Sequence, residues 1–293
     1  MFKNFREKYI KVKKGYIYCK ISGKGPPLLM LHGYPQTHIM WYKTSSTLSK
    51  YFTIIIADLR GYGSSMVVKS DLKHNAYSKR EMAKDMIQLM KILGYNKFFV
   101  AGHDRGGRVA HRLARDYRKN VLAICVLDIC PTIDMYESTN MEFAKNYFHW
   151  FFLIQPKNIP EKMIEYDPKA WLISCLNSWS KKRKFGQAEK YYLSAFRQKN
   201  RIHASCEDYR AAATIDLQHD LKDRDALLDI PIHVLWGENS VIGRQFNPLQ
   251  IWQKYTNVKI SGKSLKCGHF LPEEDPKGTV KEFLRFFKNI NII

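Results

Sequence analysis

A chain of 293 residues with 45% hydrophobic residues can bury one large α/β core plus an inserted subdomain. No apolar run is long enough to cross a membrane, and the N-terminal stretch lacks the apolar segment of a secretory signal. The net charge of +21 comes from lysines and arginines spread along the whole chain, as in Lys11-Val12-Lys13-Lys14 and Lys181-Lys182-Arg183-Lys184. With no nucleic-acid motif beside them they read as a solvated basic surface, which argues against a specific nucleic-acid partner and favours entry of small anions. The six cysteines form no C-x-x-C pair and show no zinc-ligand spacing with histidine, so reduced thiols and no metal are expected, in a cytoplasmic protein.

Taken in chain order, Tyr9–Val12 and Tyr16–Cys19 read as an antiparallel hairpin at a sheet edge. Pro27–His32 and Phe52–Ala57 are continuous apolar runs of the kind found in buried strands. Met82, Met86, Leu89, Met90 and Leu93 recur at three- and four-residue steps, which predicts an amphipathic helix over 79–93. Phe98–Ala101 is the next strand, 107–117 a helix, and Leu122–Leu127 another strand. This alternation implies an α/β fold with a mainly parallel sheet and helices on both faces. After Pro131 the strand signal fades. Residues 135–215 are rich in aromatics and helix formers, and strand character returns at Ile232–Gly237. The expected division is a core of residues 1–134 and 216–293 with a helical cap, 135–215, over the carboxyl ends of the strands.

The segment Gly102-His103-Asp104-Arg105-Gly106 has the G-x-Nu-x-G form of a strand-to-helix turn that exposes a nucleophile. Its central residue is Asp104. A carboxylate in that place attacks a saturated carbon and becomes an ester that water must then cleave. Ester hydrolysis needs a base, and His269 in Gly268-His269-Phe270-Leu271-Pro272-Glu273 stands where one is expected. It also needs an acid to orient that imidazole. Asp128, at a strand end, is preferred over Glu238 in Gly237-Glu238-Asn239-Ser240. An oxyanion hole is expected from the backbone N–H groups of Tyr34, in His32-Gly33-Tyr34-Pro35, and of Arg105.

Together these segments resemble the α/β-hydrolase superfamily on its aspartate-nucleophile branch, and within it the fluoroacetate (haloacetate) dehalogenases. The resemblance runs through His32–His38, Asp58–Gly63, Gly102–Ala110, Asp128, His149-Trp150, Cys206–Arg210 and Gly268–Glu274. It implies that Arg105 and Arg108 bind a substrate carboxylate, whose geometry guanidinium groups match. It also implies that His149 and Trp150 form a halide pocket and that no cofactor is needed. The plainer readings are a solvated first-turn charge for Arg108 and an aromatic packing pair for His149 and Trp150. Where the family carries a tyrosine as third halide donor, this reading places Thr214, whose shorter hydroxyl would weaken defluorination. The expected activity is hydrolysis of a short 2-haloacid to a 2-hydroxyacid, with a small anionic substrate, no membrane partner, and a homodimer allowed. The alternatives are an epoxide hydrolase or another aspartate-ester hydrolase, with Tyr147 and Tyr209 able to donate to an epoxide oxygen, and a non-catalytic ligand-binding protein.

Overall fold

A computed structural model describes residues 1–182 and 185–290, so Arg183 and Lys184 of the second basic run lie outside the described residues. Eight strands form one sheet in the order β1-β2-β4-β3-β5-β6-β7-β8. They are β1 (Arg6–Val12), β2 (Gly15–Ser22), β3 (Pro27–Leu31), β4 (Thr53–Ala57), β5 (Phe98–His103), β6 (Val121–Leu127), β7 (Ile232–Gly237) and β8 (Ser261–Leu265). β1 and β2 pair as the antiparallel hairpin the sequence predicts, β2 meets β4 antiparallel, and the remaining pairings are parallel. In the central strands every residue of β5, and all but the first of β3 and β4, is buried. That is why they read as unbroken apolar runs: helices cover both faces of a parallel sheet.

β8 carries no such run. Its sequence, Ser-Gly-Lys-Ser-Leu, alternates between exposed and partly covered positions at the sheet edge. A polar edge strand with an outward lysine discourages pairing with a second sheet, and it also hides the strand from hydrophobic periodicity.

The predicted helix over 79–93 is found at Lys79–Ile92, with Ser78 accepting from the Glu81 N–H at its start and Met82, Met86, Leu89 and Met90 buried. A helix over Arg105–Asp116 packs on β5 and β6 and carries four buried arginines, 105, 108, 112 and 115. Between β6 and β7 the regular elements among the described residues are all helices, from Thr132–Glu137 to Ile215–Lys222. Among the described residues no helix is long and apolar enough to cross a membrane. All six cysteines are buried and unpaired.

This topology fixes where chemistry can happen. The chain leaves β3 on one side to make β4 and returns on the other to make β5. The strand order therefore reverses at β3, and in open parallel sheets ligands bind at the carboxyl ends of the strands flanking such a point. His32-Gly33-Tyr34 follows β3 and Asp104 follows β5.

Candidate active site

Asp104 caps the helix Arg105–Asp116 with φ 45° and ψ −114°. A non-glycine residue is seldom held there, and such strain persists where the surroundings impose it. Two glycines do the imposing. A Cβ on Gly106 would lie 2.5 Å from the His32 carbonyl oxygen, and one on Gly33 would lie 2.6 Å from Asp104 Cβ. Without side chains at these positions the ends of β3 and β5 close together, and the Tyr34 backbone N–H donates to Asp104 Oδ2 at 2.8 Å. Burial alone would raise the Asp104 pKa, but the charges of His269 and Arg105 outweigh it and hold the carboxyl below its usual range. The group is an anion at neutral pH.

The structure brings His269 and Asp128 together. His269 Nδ1 donates to Asp128 Oδ2 at 2.6 Å, and Asp128 Oδ1 accepts from the Gly237 N–H at 2.9 Å and from Ser240 Oγ at 2.6 Å. Glu238, the alternative, is exposed and accepts from Ser264 Oγ at 3.1 Å. With Nδ1 occupied by a carboxylate, Nε2 is the nitrogen left to take a proton from water. Burial lowers the His269 pKa, yet the hydrogen bond and charge of Asp128 prevail and raise it above 6.5. His103, next to Asp104, has no assigned role in the sequence reading. Its Nε2 donates to the His269 carbonyl at 2.8 Å, and burial drops its pKa to about 3, so it stays neutral.

The two arginines are placed differently. Arg105 is fully buried, donates through Nε and Nη2 to the Asp208 carboxylate at 3.0 and 2.7 Å, and lies 4.1 Å from the Tyr209 ring centroid. Its charge is thus already compensated, and only Nη1 lacks a partner among the described residues. This narrows the expected role: Asp208, not a ligand, holds most of the guanidinium. Arg108 is not a solvated charge. It is 4% exposed and donates through Nη1 to the Cys130 carbonyl at 3.0 Å and to Thr132 Oγ1 at 2.9 Å, with the Trp150 ring centroid at 4.8 Å. No carboxylate ion pair joins it among the described residues, and its Nε is buried without a partner. Burial, reinforced by the Arg105 charge, pulls its pKa below the usual arginine value.

His149 and Trp150 sit in an aromatic cluster beside these groups. The His149 ring lies 6.3 Å from Tyr34, 4.3 Å from Trp179 and 5.6 Å from Tyr209. Burial lowers its pKa to about 3, and its Nδ1 has no partner among the described residues. Thr214 is not part of this cluster, and that expectation is corrected. It is exposed at the end of the helix Lys199–Ala213, and its hydroxyl donates to the Arg210 carbonyl at 2.7 Å. The last carbonyls of a helix lack backbone partners, and the threonine supplies one. Five residues earlier, on another face of the helix, Tyr209 takes the place beside His149 and Trp150, with ring centroids 5.6 and 6.5 Å away. Tyr147 joins from a second segment, 5.2 Å from His149 and 6.5 Å from His269. Burial raises both phenols well above 10, so both keep their protons. Asp208 carries no role in the sequence reading; a helical reading of Cys206–Arg210 that set it against the helix Arg105–Asp116 would have found its pairing with Arg105.

Among the described residues no cluster of three or more His, Cys, Asp or Glu side chains could hold a metal ion. The fold agrees with a family model described as the alpha/beta hydrolase fold, which matches residues 26–276. The chain belongs to that family. It is similar to a fluoroacetate dehalogenase of Burkholderia sp, with 38% identity covering 97% of this chain and 95% of that protein. It is also similar to a soluble epoxide hydrolase of Corynebacterium sp. (strain C12), with 31% identity covering 91% of each. The crystal structure of ALR0039, an α/β-hydrolase-fold protein from Nostoc sp PCC 7120, superposes with a TM-score of 0.96 at 48% identity, covering 99% of this chain and 100% of that one.

Proposed function

We propose that this protein hydrolyses a short 2-haloacid of the haloacetate type to the 2-hydroxyacid and halide through a covalent ester on Asp104. The observation that carries the reading is Arg108: a buried cation next to an aspartate nucleophile, with no carboxylate partner of its own among the described residues. An unpaired buried charge is costly, and an anionic substrate removes the cost. The Nε of Arg108 and Nη1 of Arg105 are the donors left for that substrate's carboxylate.

In the first step an Asp104 carboxylate oxygen attacks the halogen-bearing carbon. A C–O bond forms, and the halide departs with the electron pair of the C–X bond. His149, Trp150 and Tyr209 carry N–H and O–H groups that stabilise the departing anion; His149 serves as a neutral donor because burial keeps it uncharged. In the second step His269 Nε2 takes a proton from water, and the hydroxide adds to the Asp104 carboxyl carbon. Negative charge develops on the Asp104 oxygen already held by the Tyr34 N–H, with the Arg105 backbone N–H assigned as the second donor. Asp128 stabilises the imidazolium. Collapse of the adduct releases the 2-hydroxyacid, which takes the proton back from His269. Water is the only co-reactant, so no cofactor is required.

The Corynebacterium relative and the pair of protonated phenols, Tyr147 and Tyr209, favour epoxide hydrolysis as a second reading. Ion-selective halide measurement with fluoro-, chloro- and bromoacetate, beside chloroacetamide and a panel of neutral epoxides, separates the two. Halide release from the acids with little from the amide supports the haloacid reading. Diol formation from epoxides without halide release would replace it.

A further inference from the structure

Glu274 is buried five residues after His269, at the end of the short helix Leu271–Glu274, and no step above uses it. Its side chain accepts four backbone N–H groups. Oε1 takes that of Phe270 at 3.1 Å, while Oε2 takes those of Gly268 at 3.0 Å, Lys181 at 2.9 Å and Lys182 at 3.3 Å. Gly268 and Phe270 flank His269 directly. Lys181 and Lys182 follow the helix Pro168–Trp179, in the stretch between β6 and β7. One carboxylate therefore ties the imidazole-bearing loop to the inserted helices. Around it, the His269 N–H donates to the Trp179 carbonyl at 2.9 Å, and the Lys182 ammonium donates to the Glu274 carbonyl. A Cβ on Gly268 would lie 2.6 Å from the Trp179 carbonyl oxygen, so the two segments meet with no side chain between them.

We infer that Glu274 is a positioning residue for His269, acting on the hydrolysis of the ester rather than on its formation. Alkylation needs Asp104 and the leaving-group donors, none of which touches Glu274. Hydrolysis needs the imidazole set against water and the ester carbon, and a displacement of about 1 Å there costs on the order of 10²-fold in rate. Replacing one carboxylate oxygen by an amide NH2, or shortening the side chain, removes acceptors from this set of four N–H groups and loosens the loop on both sides of the histidine.

The inference rests on the covalent route proposed above, and its test keeps the two apart. Wild type, Glu274→Gln and Glu274→Asp are mixed with bromoacetate in single turnovers and followed by quenched intact-mass measurement. In Glu274→Gln, formation of the Asp104 ester should stay within about 3-fold of wild type, while its decay slows roughly 10- to 100-fold. Glu274→Asp, which keeps the charge but loses reach, should fall between them; it also serves if the glutamine variant does not fold. Equal slowing of both steps, or of neither, overturns the inference. Amide exchange supplies a readout that needs no substrate. Gly268, Phe270, Lys181 and Lys182 should exchange at least about 10-fold faster in either variant. Unchanged exchange refutes the tie even if no ester forms in wild type, an outcome that would sink the covalent route instead.

Discussion

The residues at the strand ends and those from the inserted helices build one site under different constraints. Asp104, Tyr34, Asp128 and His269 are fixed by backbone: a strained turn, a glycine-permitted close approach, and a carboxylate receiving an N–H from the next strand end. His149, Trp150, Tyr147 and Tyr209 are fixed by how helices rotate and pack, and many of their contacts are ring against ring. Backbone-fixed groups suit bond-making, where sub-ångström placement matters. Packed aromatics suit a pocket whose shape sets which substrate enters. The contrast extends to charge, since the strand-end histidine is raised by its aspartate and the helical one is depressed by burial.

If that division holds, substitutions in the two regions should differ in kind as well as size. Asp104→Ala should remove turnover by at least about 10⁴-fold with every substrate, since the bond-forming atom is lost. Initial rates of halide release check this, and residual turnover near wild type would break the comparison at its centre. Arg108→Met should lower kcat/KM for chloroacetate about 10- to 100-fold, the equivalent of a lost charge-assisted hydrogen bond. It should leave chloroacetamide nearly unaffected. The same variant should not unfold more readily in urea, because it replaces an unpaired buried cation with an apolar chain of similar length.

Tyr209→Phe should cost about 10-fold or more in fluoride release from fluoroacetate and less for chloroacetate and bromoacetate, whose leaving groups need less help. Thr214→Val, by contrast, should stay within about 2-fold of wild type on all three, as expected of an exposed residue. A Thr214 effect that matched the Tyr209 effect would reverse the correction made above. The pH dependence is subtler. His269 must be neutral to act as base, and Asp128 raises its pKa, so ester decay should fall on acidification through a midpoint above 6.5. His149, depressed to about 3, should add no second midpoint near neutrality.

The last effect concerns stability and leaves turnover untouched. Burial pushes Glu273, held by Gln36 and Tyr192, up to about 8 from an ordinary 4.5. The folded state then keeps a proton that the unfolded chain has already lost. The resulting stability is fully present below about 4.5 and declines as pH rises to about 8. Glu273→Gln should flatten that decline in urea titrations at several pH values; an unchanged slope would locate the pH dependence elsewhere.

The same division explains what could be read from the sequence. The central strands and the turn at Asp104 announce themselves because buried parallel strands are apolar throughout and the turn demands glycines at fixed spacing. Asp128 was reachable because it follows an obvious strand. β8 was not delineated, since an edge strand of Ser, Gly and Lys carries no hydrophobic signal. Among the helices, the pairing of Arg105 with Asp208 joins residues 103 positions apart and has no local signature. Thr214 was misplaced because alignment by position ignores which face of a helix a residue occupies. Tyr209, within the same helix, faces the site.

The central claim is a covalent ester on Asp104 resolved by His269. Its most direct test is intact-mass and peptide-mapping analysis of His269→Asn after incubation with chloroacetate or bromoacetate. The account predicts a carboxymethyl ester that accumulates on Asp104 and persists, with halide released once per protein molecule. Unmodified Asp104 under conditions in which the wild-type protein turns the same substrate over would contradict it.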